Sequence, residues 1–95
     1  MFAKNPVSES KISGEEIKNA IRLAMIAELD AINFYLQIAN KVDDERVKKV
    51  FEDVAKEEAV HFGEFLELLR ELDPSFEPLV EEGIKEVKEL LNKKV

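Results

Sequence analysis

Apolar positions recur along this chain with the three-and-four rhythm of amphipathic helices. One series runs Ile17, Ile21, Ala24, Ala31, Tyr35, Ile38, Val42, and a second runs Val47, Phe51, Val54, Phe65, Leu68, Leu72. Such steps stay on one helix face and form the seam of a bundle. Strand-like alternation is absent. Ser13-Gly14-Glu15-Glu16 has the form of a capping box, which predicts that the Ser13 and Glu16 side chains satisfy the first amides of a helix reaching about Lys41. Asp43 or Asp44 is placed to cap a second helix, which Asp73-Pro74 stops after Leu72. Pro78 suits the first turn of a third helix over roughly Leu79 to Lys93, with its own stripe of Val80, Ile84, Val87 and Leu91.

The first two helices would each span about 40 Å at about 1.5 Å per residue. A link as short as Val42-Asp43-Asp44 makes them antiparallel neighbours. The expected fold is all-α: an antiparallel two-helix hairpin plus a shorter third helix. Residues 1–12 read as a polar N-terminal arm, and residues 13–95 as a single domain. Both long helices are apolar over more than half their circumference, which predicts burial on two sides and a homo-oligomer.

Three polar residues break the stripes. Glu28 sits in the middle of the first, and Glu58 and His61 interrupt the second, three residues apart on one face. Arg22, Asp30, Asn33 and Gln37 cover the far side of the first helix, and Asp53, Lys56, Glu67 and Arg70 that of the second; Glu57 lies on the flank. An ionised carboxylate in a helix core is costly unless it is paired or bound to a metal. No Lys or Arg lies on either stripe to pair with it. Glu28 and Glu58 are also equally distant from the link, so a hairpin brings all three groups to one level. Two carboxylates and an imidazole in an apolar layer suit a borderline divalent ion such as Fe, Mn or Zn. A two-fold pairing of hairpins would complete a four-helix bundle with four Glu and two His, the di-iron carboxylate pattern of single Glu and Glu-x-x-His helices. Taken singly, each residue has a plainer reading. His61 can hydrogen-bond to Glu57 or Glu58 within its own helix, Glu28 can be a boundary carboxylate, and Tyr35 can be a packing residue.

Composition narrows the chemistry. With 45% apolar and 37% charged residues, the 95-residue chain can fold as one small domain. The absence of cysteine excludes disulfides, thiol nucleophiles and thiolate-held metals, leaving oxygen and nitrogen ligands. A net charge of −7 argues against nucleic-acid and anionic-membrane partners and favours cations. No apolar run approaches the roughly 18 residues of a membrane span, and the first residues lack a signal-peptide core, so a cytoplasmic location is expected. Serines fall only in the arm and loops, and no glycine-rich phosphate loop exists.

The run Ala27-Glu28-Leu29-Asp30-Ala31-Ile32-Asn33-Phe34-Tyr35, followed by Glu57-Glu58-Ala59-Val60-His61, resembles the encapsulated ferritins of the ferritin-like superfamily across roughly Glu15 to Leu72. The resemblance implies a ferroxidase that oxidises Fe(II) with O₂ or peroxide for iron storage or detoxification. It implies that Glu28, Glu58 and His61 from two subunits hold two irons per dimer interface, with Glu58 bridging and with Mn or Zn as substitutes. It also implies a tyrosine near the centre at Tyr35 and an uptake acid at Asp30, while Glu57, from its place on the flank, is read as a surface residue or one just outside the ligand set. Homodimers joined in a ten-subunit ring, and association with an encapsulin shell as cargo or as a fused domain, are implied by the same resemblance. Ala27 departs from members that carry a second uptake glutamate there, and the tail from Glu89 does not clearly match a shell-docking peptide. Complete rubrerythrins resemble the chain less, since they hold four helices and a cysteine-ligated module in one chain. The contrasting reading is a non-catalytic helical oligomer with a structural ion or a buried polar core.

Overall fold

A computed structural model describes residues 10–92. Three helices follow one another: α1 (Glu15–Ala39), α2 (Glu45–Leu72) and α3 (Phe76–Asn92), with no strand among the described residues. Most of the expected N-terminal arm, residues 1–9, lies outside the described residues, as do Lys93–Val95. α1 and α2 form the antiparallel hairpin, and none of the described helices is long and apolar enough to cross a membrane.

The caps explain where each helix begins and ends. α1 does not use the expected capping box. Gly14 is its N-cap at φ 58°, a left-handed conformation that glycine adopts without strain, and no side chain caps the first turn. The backbone carbonyls of Ser13 and Gly14 accept from the Glu16 and Ile17 amides instead, each at 3.1 Å. α2 is capped as expected by Asp44, whose carboxylate accepts from the Arg46 amide at 2.9 Å and pairs with the Arg46 guanidinium at 3.0 Å. Asp73 closes α2 through its amide to Leu69 O at 2.9 Å. The third helix starts at Phe76, three residues before the expected Leu79. The elbow folds tightly, with the Ser75 hydroxyl donating to Asp73 Oδ1 at 2.7 Å and the Phe76 amide to Asp73 O at 3.0 Å. Pro78 still falls in the first turn, where a missing amide is harmless.

The packing seam differs from the expected stripe on α2. Ile21, Ala39, Ala55 and Leu69 are the buried apolar residues among those described. Ala55 and Leu69 each lie one position beyond the expected Val54 and Leu68, so α2 is turned about its axis. Val47, Leu68 and Leu72 from the expected stripe stay exposed. Both helices are apolar over a wide arc, and the hairpin seam consumes only part of it. Ile26, Leu29 and Leu36 remain exposed on one side, and Phe34, Val50 and Leu68 on the other. α3 leaves the hairpin sideways, so the molecule measures 55 × 46 × 19 Å.

Candidate metal centre

The hairpin brings together the three residues that break the apolar pattern. Glu28 comes from the middle of α1, and Glu58 and His61 from successive turns of α2. One donor atom from each lies within 4.8 Å of the other two. His61 Nδ1 stands 3.1 Å from Glu28 Oε2 and 3.3 Å from Glu58 Oε1. The two carboxylates are mostly enclosed, with 16% and 18% of their side chains exposed, whereas the imidazole is 47% exposed. His61 thus reaches across to α1 through Nδ1, as the stripe implied, while the rest of its ring stays half-exposed at the edge of the seam. The turn of α2 carries it to the open edge, on the helix face it shares with the exposed Val50 and Leu68 several turns away, and its Nδ1 closes the carboxylate pair from that side.

The electrostatics of this layer are unbalanced. Burial raises the Glu28 carboxyl above its ordinary value of 4.5, and the hydrogen bond and charge of Glu58 push it the same way. His61 acts against the rise. Among the described residues no Lys or Arg pairs with either carboxylate. Two acids drawn together without a fixed cation form a site that a dication would relieve. The donors, two hard oxygens and one imidazole, suit iron, manganese or zinc.

The other expected residues fall around this layer. Tyr35 is half-buried two turns nearer the hairpin tip, with its ring centroid 5.7 Å from Phe34 and 5.8 Å from Phe51 in tilted contacts. Asp30 is exposed on the back of α1, and Glu57 is exposed on α2 without joining the cluster. Among the described residues no second group of three or more potential ligands exists, and no residue outside the expected three joins this one.

Residues 19–93 match the family model described as Rubrerythrin. The chain is 53% identical over 93 residues to a ferritin-like–encapsulin shell fusion protein of Pyrococcus furiosus, an alignment covering 95% of this chain and 27% of that protein. It is 41% identical over 64 residues to an encapsulin nanocompartment cargo protein, EncC, of Myxococcus xanthus, covering 67% of this chain and 49% of that one. The chain thus spans about a quarter and about half the length of these curated relatives. Its fold superposes on the crystal structure of an encapsulated ferritin domain from Pyrococcus furiosus with a TM-score of 0.85, full coverage of both chains and 44% identity.

Proposed function

The chain belongs to the rubrerythrin family of ferritin-like proteins, with the fold of an encapsulated ferritin domain, and from that premise we propose that it is a ferroxidase. Its substrate is Fe(II), bound at a di-iron centre that two copies of the chain complete. The observation that carries this reading is the half-built site itself: Glu28, Glu58 and His61 converge within 4.8 Å at an open apolar edge, with no Lys or Arg paired to the acids among the described residues. Three donors are few for two metals. A two-fold pairing across that edge doubles them to four Glu and two His, the donor set of di-iron carboxylate bundles.

Each residue has a distinct part. Glu28 and Glu58 would supply the negative charge that draws Fe(II) out of water and the oxygen donors that hold it. Burial and the neighbouring Glu58 raise the Glu28 carboxyl, so a cation bound there would compete with its proton. His61 presents a nitrogen that fixes the orientation of the pair. Two Fe(II) together would give two electrons which, with two protons, reduce O₂ to hydrogen peroxide or hydrogen peroxide to two waters, and the Fe(III) would pass on to a mineral store.

The names of the relatives support a place inside an encapsulin compartment, as cargo or as part of a shell fusion, within the cytoplasm. A second reading, a helical oligomer with a structural ion or a polar register layer, draws on the direct contacts of His61 with both acids, which partly satisfy them without a metal. Aerobic Fe(II) titration, followed by the rise of the ferric absorbance, separates the two. Glu58→Ala and His61→Ala are each expected to slow oxidation by at least about tenfold, equivalent to about 1.4 kcal/mol of barrier. Full rate in either variant would remove the site from the reaction.

A further inference from the structure

We infer that Arg70 is the lock of a hinged third helix: its guanidinium, set beneath the start of α3, grips Glu77 and Glu81 and thereby fixes the angle at which α3 leaves the hairpin. α3 has little else to hold it. None of its residues is buried, and from Glu81 onward every described residue is exposed. Phe76 and Val80 alone, near the elbow, are partly covered. A detached helix of this length is marginal in water without a partner face. Against that background the ion pairs stand out.

Arg70 Nη2 donates to Glu81 Oε1 at 2.5 Å and lies 3.7 Å from Glu77 Oε1. The two acids are one helical turn apart, on the same face of α3. Among the described residues these are the only ion pairs between α3 and the hairpin. Only 20% of the Arg70 side chain is exposed, and its Nε is buried with no hydrogen-bond partner. The stem is thus trapped at the end of α2, so the guanidinium has little freedom to follow a moving α3. Nη2 of this largely enclosed side chain is hydrogen-bonded to Glu81 and ion-paired with Glu77, which ties it to two successive turns of α3. On the other side of the elbow, Lys18 of α1 lies 4.0 Å from Asp73 and ties the end of α2 to the hairpin base. The end of α2 is thus tied at Asp73, and the Arg70 pairs reach across the elbow that follows it. The lock fixes the direction in which the exposed Ile84, Val87 and Leu91 face.

The chain has no cysteine, so two can be introduced cleanly for spin labels. Lys56→Cys on α2 and Lys88→Cys on α3 are both at exposed positions. Labelled chains diluted into an excess of unlabelled protein report the distance within one chain by pulsed electron resonance. Residue 88 lies about 18 Å from the start of α3, so a swing of about 30° moves it by about 9 Å. The unaltered chain should give one narrow distance distribution. Arg70→Met, which keeps an apolar stem and removes the charge, should broaden it by several ångströms, and so should Glu77→Gln with Glu81→Gln. A distribution as narrow as the parent's in the double glutamine variant overturns the lock. Broadening in Arg70→Met alone also overturns it, because packing rather than charge would then hold the angle. Both glutamates are half-exposed, so the glutamine variant should fold even if Arg70→Met does not.

Discussion

Glu28→Gln tests the unbalanced charge of the metal layer in the metal-free protein. The substitution keeps the size and polarity of the side chain and removes its charge. Glu28 and Glu58 offer oxygen atoms no more than 4.8 Å apart. At that separation two unit charges repel by about 1 kcal/mol in bulk water and about 3 kcal/mol at the effective dielectric near 20 that suits partly buried pairs. Their side chains are 16% and 18% exposed, so the figure lies between those limits, and the attraction of His61 offsets part of it. Metal-free Glu28→Gln should therefore be more stable than the parent by about 1–2 kcal/mol at neutral pH. The sign follows from linkage. A carboxyl raised on folding binds its proton more tightly in the native state, so stability falls as pH rises from its ordinary value of 4.5 through the raised one. Below 4.5 the destabilisation is absent, and the two proteins should converge near pH 4. Urea unfolding of chelator-treated protein by circular dichroism, at one fixed chain concentration, measures both arms. Adding Zn²⁺ should reverse the order, since a ligand at about 100 times its Kd stabilises the parent by about 2.7 kcal/mol and has no complete site in the variant. A metal-free variant no more stable than the parent at pH 7 would refute the reasoning, because the acids would then be compensated by something other than a cation.

Three further outcomes are expected. Native mass spectrometry should find two metal ions per pair of chains and dissociation of the pairs after EDTA, whereas an assembly unchanged by chelator and free of metal would favour the register-layer reading. Asp44→Ala should lower the thermal midpoint of unfolding at pH 7, because the carboxylate caps α2 and holds Arg46. Those bonds keep the Asp44 carboxyl below its ordinary 3.8, so its contribution is present above that value and fades as pH falls through the lowered one, where parent and variant should meet in a pH series of melts. Leu69→Ala, at a fully buried position facing α1, should destabilise by about 3 kcal/mol in the same urea assay; a change below about 1 kcal/mol would mean that the seam relaxes to fill the cavity.

The convergence of Glu28, Glu58 and His61 was legible because it depends on two regular quantities, the helical repeat and the symmetry of a short hairpin. Glu28 and Glu58 are equally distant from the link, and antiparallel helices convert equal distance along the chain into equal height. Asp44 and Asp73-Pro74 were legible for a local reason: capping and the restriction before proline act over a few residues. The Ser13 cap failed locally too. Gly14 in its left-handed conformation turns the chain so that backbone carbonyls, not the Ser13 hydroxyl, meet the first amides.

By itself the sequence determined which segments are helices, that two of them pair, and that three polar groups share one level in an apolar layer. The tertiary structure decided the rotation of α2, which places Ala55 and Leu69 in the seam and leaves His61 at the open edge. It also decided the direction of α3, held through Arg70, Glu77 and Glu81. Both are choices among neighbouring faces. A helix apolar over a wide arc has several packings that satisfy the same periodicity, and only contact between side chains distant in sequence selects one of them.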